Sequence, residues 1–262
     1  MGYGPPQVVE GQPRVGLPFG LFSALTLRES GDPHWANGIE WEAMTCGPVS
    51  GITDPNCNTN VNKFFRQMTT VGSATAFTVY GSAKCGAPGG AAYQEAEEMA
   101  TAHLLAREEA QAEVQTWARL AAGATRPRGD TALKPGEALA TLEDWLGGTY
   151  GSLGVIHGSR GAVTKLDTLV EKTGSRLTSK VGTPVVAGSG YYGQAAPAGG
   201  ATATASQAWM LASPALFGYR GQVFSAQTFD QNKNDVYALA ERNYVVGFDP
   251  CGVVAVLMDI SG

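Results

Sequence analysis

Charge is scarce in this chain. Asp, Glu, Lys and Arg make up 16% of its 262 residues, below the usual quarter of a globular protein. The formal net charge is −5, whereas a reader of nucleic acid would carry a basic stripe. Histidine is rarer still: His34, His103 and His157 stand far apart, so neither a metal set nor an acid–base centre forms from sequence neighbours. The four cysteines (Cys46, Cys57, Cys85, Cys251) show no CxxC spacing, which removes zinc-ribbon and thioredoxin-like sites. Cys46 and Cys57 could close a small loop, although unpaired thiols are the expectation for a cytoplasmic protein. No apolar run is long enough to span a bilayer, and MGYGPPQVVEGQP has neither the basic region nor the apolar core of a signal peptide. Pro6 stands where a myristoylation signal wants Ser or Thr. The expectation is a soluble protein made inside the cell, with no metal, no cofactor and no membrane partner.

Glycine, by contrast, is plentiful at 35 residues. Residues 1 to 20 are dominated by Gly and Pro and read as extended. GIEWEAM and NKFFRQM read as strands flanking CGPVSGITDPNCNTN, a turn-rich insert, so residues 41 to 75 form a two-stranded excursion. AFTVYGSA returns to the body as a strand. Residues 91 to 122 then form one uninterrupted helix whose apolar stripe runs Ala96, Met99, His103, Ala110, Val114, Trp117, Ala121. Glu97, Glu98, Glu108, Glu109 and Glu113 occupy the opposite face, read as solvated. So thin a stripe suits packing on one flat sheet. A shorter helix, EALATLEDWL, is expected to stop at Gly147 and Gly148. LGVIHGS reads as a buried strand, GAVTKLDTLVEK as a helix, and SRLTSKV with TPVVAGS as a strand pair. QAWMLAS, GQVFSAQTF, NDVYALAE, NYVVGF and GVVAVLMD follow as strands.

Three constellations could carry chemistry. GSGYYG (188 to 193) matches GxGxxG after a strand, but no helix opens at its last glycine and no acid follows until Asp230, so a flexible loop is the better reading. HGSRG brings His157 beside a serine without a nucleophile elbow, and at the end of an apolar strand a hydrogen-bonded structural histidine is the expectation. Trp35, Trp41, Phe64 and Phe65 lie in or near the excursion, where there is no local core, and are read as anchors on a neighbouring copy.

The order of elements resembles the major capsid proteins of tailed bacteriophages, the HK-ninety-seven fold shared with encapsulins. FTVYGSAKCG leading into AEEMATAHLLAREEAQAEVQTWARLAAGAT looks like the family's strand and spine helix. ALATLEDWL with GSLGVIHGSRGAVTKLDTLV looks like the opening of its axial domain. RLTSKVGTPVVAGSGY resembles its strand pair, and ASPALFGYRGQVFSAQTF with NDVYALAERNYVVGFDPCGVVAVLM its closing strands. The resemblance implies an α+β fold with an N-terminal arm (1–40), an extended loop (41–75), a peripheral domain (76–126 and 222–262, spine helix 91–122) and an axial domain (127–221). It implies a non-enzymatic function: hexamers and pentamers of the chain tiling an icosahedral shell around viral DNA. The partners would be copies of itself, a scaffolding protein, a portal, and double-stranded DNA held without sequence-specific contact. The location would be the virion, assembled in the host cytoplasm. Some members cross-link through a Lys, an Asn and a Glu. The matching positions are Lys63, Asn234 and Glu241, although a spacing of seven puts the last two on opposite faces of an unbroken strand. No long charged helical segment of internal-scaffold type precedes residue 40.

Three further readings stand beside this one. An encapsulin shell has the same fold, but its cargo-binding amphipathic helix could not form in MGYGPPQVVEGQPRVGLPFG. A small-molecule enzyme would use the loop at 188 to 200. A tail-tube subunit, mostly strand, is disfavoured by the long helix.

Overall fold

Four stretches, VIHGS, PVVAG, QAWMLAS and VVAVLMD, lack the polar alternation of a half-exposed strand. Strands read this way when both faces of their sheet are covered. The computed structural model of the chain places all four side by side in one sheet. The structure describes residues 16–44, 46, 69–86 and 90–261.

The chain begins with a 3-10 turn and strand β1 (Thr26–Glu29). A hairpin follows, β2 (Ile39–Met44) and β3 (Thr69–Ala74), then the long strand β4 (Ala76–Gly86). Helix α1 (Gly90–Ala122) comes next, then β5 (Ala124–Thr125), α2 (Pro135–Trp145), β6 (Val155–Ser159) and α3 (Arg160–Thr164). Strands β7 (Val170–Thr173), β8 (Arg176–Ser179), β9 (Pro184–Gly188) and β10 (Gln207–Ser213) continue the chain. It closes with β11 (Leu216–Arg220), β12 (Phe224–Asp230), β13 (Asp235–Phe248) and β14 (Val253–Asp259).

Two sheets carry the body. One has seven strands in the order β5-β14-β10-β6-β9-β8-β7. Its central strands are covered on one side by α2 and α3, through Leu142, Leu146, Val163 and Leu166 against Ile156, Met210, Val254 and Met258. The other side meets Trp117, Leu120 and Tyr191 over Val155, Val186, Leu211 and Ala255. The second sheet has five strands built around β13, with β4 along one edge and β12 and β11 sharing the other.

Helix α1 joins the two. Ala92, Ala96, Ala100, Leu104, Glu108, Ala112, Thr116 and Leu120 are all buried. Residues four apart overshoot a full turn by about 40° at 3.6 residues per turn, so the buried stripe winds around the helix and changes neighbour along its length. The first half packs on Val79, Val236, Ala238 and Tyr244 of the five-stranded sheet. The second half enters the core of the seven-stranded sheet. Close approach at the first half requires Gly81: a Cβ there would stand 2.5 Å from the carbonyl oxygen of Ala100 and 2.4 Å from the amide nitrogen of Leu104.

Several expectations are corrected. The stripe is not the thin one at steps of three and four. Met99 is 41% exposed, and His103 lies at the surface with Nδ1 3.0 Å from the Ser82 carbonyl. Glu108 and Glu113 are buried rather than solvated, because each faces a polar partner that the winding stripe brings round. Helix α2 does not stop at Gly147 and Gly148; one wider turn carries it to Tyr150, and Gly151 at φ 74° ends it. The helix expected after Ser159 breaks after Thr164, where Asp167 takes φ 43° and the chain turns into β7. Segment 222–262 divides between the sheets, since β14 pairs with β10 in the seven-stranded one. Strand β11, placed in the axial segment, pairs instead with β13. The arm is not free over its described part: Leu21 and Leu25 are buried in the core, and β1 pairs in parallel with β11.

Cysteine chemistry also departs from expectation. Cys46, just beyond β2, is bonded to Cys251 in the β13–β14 turn, 205 residues away. Sequence distance hid this pair, because the turn and the hairpin root meet only in the folded chain.

Candidate functional site

The loop GSGYYG is held by the spine helix. Glu113 accepts hydrogen bonds from the Leu21 amide (3.0 Å), the Gly190 amide (2.7 Å) and the Ser189 hydroxyl (3.2 Å). Glu109, one turn earlier, accepts from the Phe22 amide at 2.8 Å. Two carboxylates thus clasp the turn at Leu21 and Phe22 and the loop after β9 to one helix. Burial pushes both carboxyls above the ordinary range, against the pull of those hydrogen bonds. The glycine at 190 serves this approach, since a Cβ there would lie 2.1 Å from the Ala110 carbonyl oxygen. A dinucleotide site would turn its loop amides towards a phosphate; here the Gly190 amide is taken by a carboxylate.

His157 is fully buried, with Nδ1 3.0 Å from the Tyr191 hydroxyl and Nε2 2.9 Å from Ser213 Oγ. Ser213 donates its own proton to the Pro214 carbonyl at 2.9 Å. The serine must therefore accept from Nε2–H, which leaves Nδ1 to accept from Tyr191. That tautomer is the reverse of what a serine nucleophile needs from its base. Burial pushes the imidazole down to about 3. The trio is a structural hydrogen-bond centre.

The surface that stands out is a sheet face. In the outer part of the five-stranded sheet, Val79 and Ala240 point to α1, so their strand neighbours point away. Register aligns Phe224, Glu241 and Tyr80 on one rung, Ala226, Leu239 and Ser82 on the next, and Thr228, Tyr237 and Lys84 on a third. Tyr80 is 68% exposed and Phe224 61%. The second and third rungs line a shallow trough of about 580 Å³. Alternation in FTVYGSAK and DVYALAE was its signal in the sequence, but which face the helix would cover was not written there.

No family model matches the chain, and no curated protein sequence matches it. Solved structures do. A chain from Microbacterium phage Oxtober96 superposes with TM-score 0.56 at 10% identity, over 98% of this chain and 96% of that one. The capsid of Ralstonia phage GP4 gives 0.56 at 7% identity, over 99% and 94%. The holo-SrpI encapsulin complex from Synechococcus elongatus PCC 7942 gives 0.55 at 9% identity, over 99% and 94%. The chain has the HK-ninety-seven major capsid fold.

Within that fold α1 is the spine helix; most of segment 41–75, expected as the extended loop, lies outside the described residues. Trp35 and Trp41, expected to anchor on another copy, both find partners in their own chain. Trp35 stacks on Tyr219 with centroids 6.3 Å apart, and Trp41 meets Phe217 edge-on at 4.9 Å. The premise that they lacked a local surface does not hold, because β11 lies beneath the hairpin root. Phe64, Phe65 and Lys63 lie outside the described residues. Asn234 sits at φ 55° in the β12–β13 turn, while Glu241 lies seven residues along β13, roughly 20 Å away at strand rise. One chain does not bring those two together. Among the described residues no His, Cys, Asp and Glu cluster is fit to hold a metal, and no helix is long and apolar enough to cross a membrane.

Proposed function

We propose that the chain is the major subunit of an icosahedral viral shell, its copies associating as hexamers and pentamers around a double-stranded DNA genome. The observation that carries this reading is the open sheet face. α1 covers one side of β4, β13 and β12, while Tyr80, Phe224, Leu239 and Tyr237 remain on the other. An uncovered sheet face that sets exposed aromatic and aliphatic side chains beside Glu241 and Lys84 fits a protein contact. The fold's end-to-end match with phage and encapsulin chains supports a neighbouring copy as what covers it. A scaffolding protein and a portal would assist assembly in the host cytoplasm. The genome would be enclosed without sequence-specific grip, in keeping with the net charge of −5 and the Lys and Arg that phosphate binding needs.

Negative-stain electron microscopy with size-exclusion chromatography tests this, with and without a scaffolding protein. Closed shells, or rings of five and six, are expected. A chain that stays monomeric even with a scaffold would end the reading. Leu239→Glu should leave the thermal midpoint nearly unchanged and abolish assembly, because it puts a charge in the trough without touching any of the three cores. The likeness to the SrpI encapsulin favours a second reading, a nanocompartment; protein cargo inside shells in place of nuclease-protected DNA would select it. A cross-link through Lys63, Asn234 and Glu241 would draw Asn234 and Glu241 from different copies. Denaturing electrophoresis of shells would show a ladder of multiples if it forms and one monomer band if it does not.

A further inference from the structure

No residue of β2 or β3 belongs to any of the three apolar cores. The hairpin is attached to the body by separate devices. Trp41 rests on Phe217 and on Gly247, where a Cβ would stand 3.0 Å from the indole. Arg119, at the end of α1, donates to the Val246 carbonyl at 2.5 Å and to the Ser73 carbonyl. These hold its inner half. Further out, Met44 is 69% exposed and Val71 66%, and of the last three residues of β2 only Ala43 is buried, so a single methyl group is what packs there. The strong tie on the outer half is Cys46, two residues past the last residue of β2, bonded to Cys251 in the β13–β14 turn. That turn is itself anchored: Tyr150 donates to Asp249 at 3.2 Å.

We propose that the Cys46–Cys251 pair is a redox-operated latch on the hairpin root. It stays open while the surroundings keep thiols reduced and closes against a low-molecular-weight disulfide such as oxidised glutathione. The thiolate of one cysteine attacks the small disulfide, giving a mixed disulfide and releasing one small thiol. The second cysteine then attacks the protein sulfur of that mixed disulfide and releases the other small thiol. Two protein thiols are oxidised, one small disulfide is reduced to two thiols, and the protons given up by the cysteines end on the leaving thiols. The subunit thus folds and associates with a hairpin held chiefly at its inner half, and the outer half is tied down later, on meeting an oxidising medium. That last step, for a subunit in a shell, rests on the function proposed above.

The test uses the full chain, incubated with oxidised glutathione or with excess reductant. Non-reducing peptide mapping should find Cys46 linked to Cys251 after oxidation and both thiols free after reduction. Hydrogen exchange at Ile39–Met44 and Thr69–Ala74 should be about 10-fold slower in the oxidised protein. Cys251→Ser should exchange at the reduced rate in both media. Reduced, alkylated wild type supplies the same control if the substitution impairs folding. A Cys46–Cys57 peptide, or four free thiols after oxidation, would overturn the pairing. Equal exchange in the two states would overturn the latch even with the bond formed. All of these are read on the isolated subunit, so failure to form shells would leave them standing, and failure of the latch would leave assembly intact.

Discussion

Glu113 and His157 show how single residues in this fold are tuned by burial. Removing the Glu113 carboxylate would orphan the amides of Leu21 and Gly190. Glu113→Ala should therefore cost roughly 2–4 kcal/mol in denaturant unfolding, since buried donors without partners carry their full desolvation cost. The sign with pH follows from the raised carboxyl. A folded-state value above the unfolded one gives stability that is full below about 4.5 and shrinks as pH rises through the folded value. The thermal midpoint of the wild type, relative to that of Glu113→Gln, should accordingly fall as pH rises above about 4.5. His157 runs the other way. Its value is lowered to about 3, so its contribution is full above about 6.5 and is lost as pH falls towards 3, reaching roughly 5 kcal/mol in the limit. His157→Gln should flatten that acid limb in a melting series from pH 7 to 4. The two roles were not equally legible: the carboxylate sat in an acidic run that normally faces water, whereas the histidine, at the end of an apolar strand, already read as a hydrogen-bonded structural residue, its partners Tyr191 and Ser213 alone being hidden.

At the scale of elements, strands and the spine helix were largely legible, and their neighbours were not. QAWMLAS, LGVIHGS and GVVAVLMD declare buried strands by uninterrupted apolar character, and α1 by length without a breaker. The winding of its stripe was missed because the step-of-four pattern is filled by alanines and carried through Glu108, which apolar periodicity does not count. That carboxylate is paired with Arg242 at 2.9 Å and with the Tyr244 hydroxyl at 2.8 Å. The hairpin root makes a related point. Trp41 lies between Gly72, Gly247 and Phe217 of its own chain, so Trp41→Ala should destabilise the unassembled subunit by about 2–3 kcal/mol. Urea unfolding of subunits before assembly reads this directly; an unchanged midpoint would return Trp41 to a contact between copies.

For the molecule as a whole, α1 couples two bodies that each have their own sheet. Leu104 belongs to the core on the five-stranded sheet and Leu120 to the core on the seven-stranded one. If the helix leaves, the five-stranded sheet loses its core and the seven-stranded sheet one of its two, so calorimetry on the reduced chain should give one transition, with calorimetric and van't Hoff enthalpies equal. Two resolved transitions would mean that the halves unfold separately. By itself the sequence determined most of the element types, the long helix and the capsid-like order, because those depend on local periodicity and on breakers along the chain. Only the tertiary structure decided which face of the outer sheet stays open, which carboxylates are buried, and that Cys46 meets Cys251. Those depend on groups far apart in sequence arriving at one place, and local pattern carries no record of that meeting.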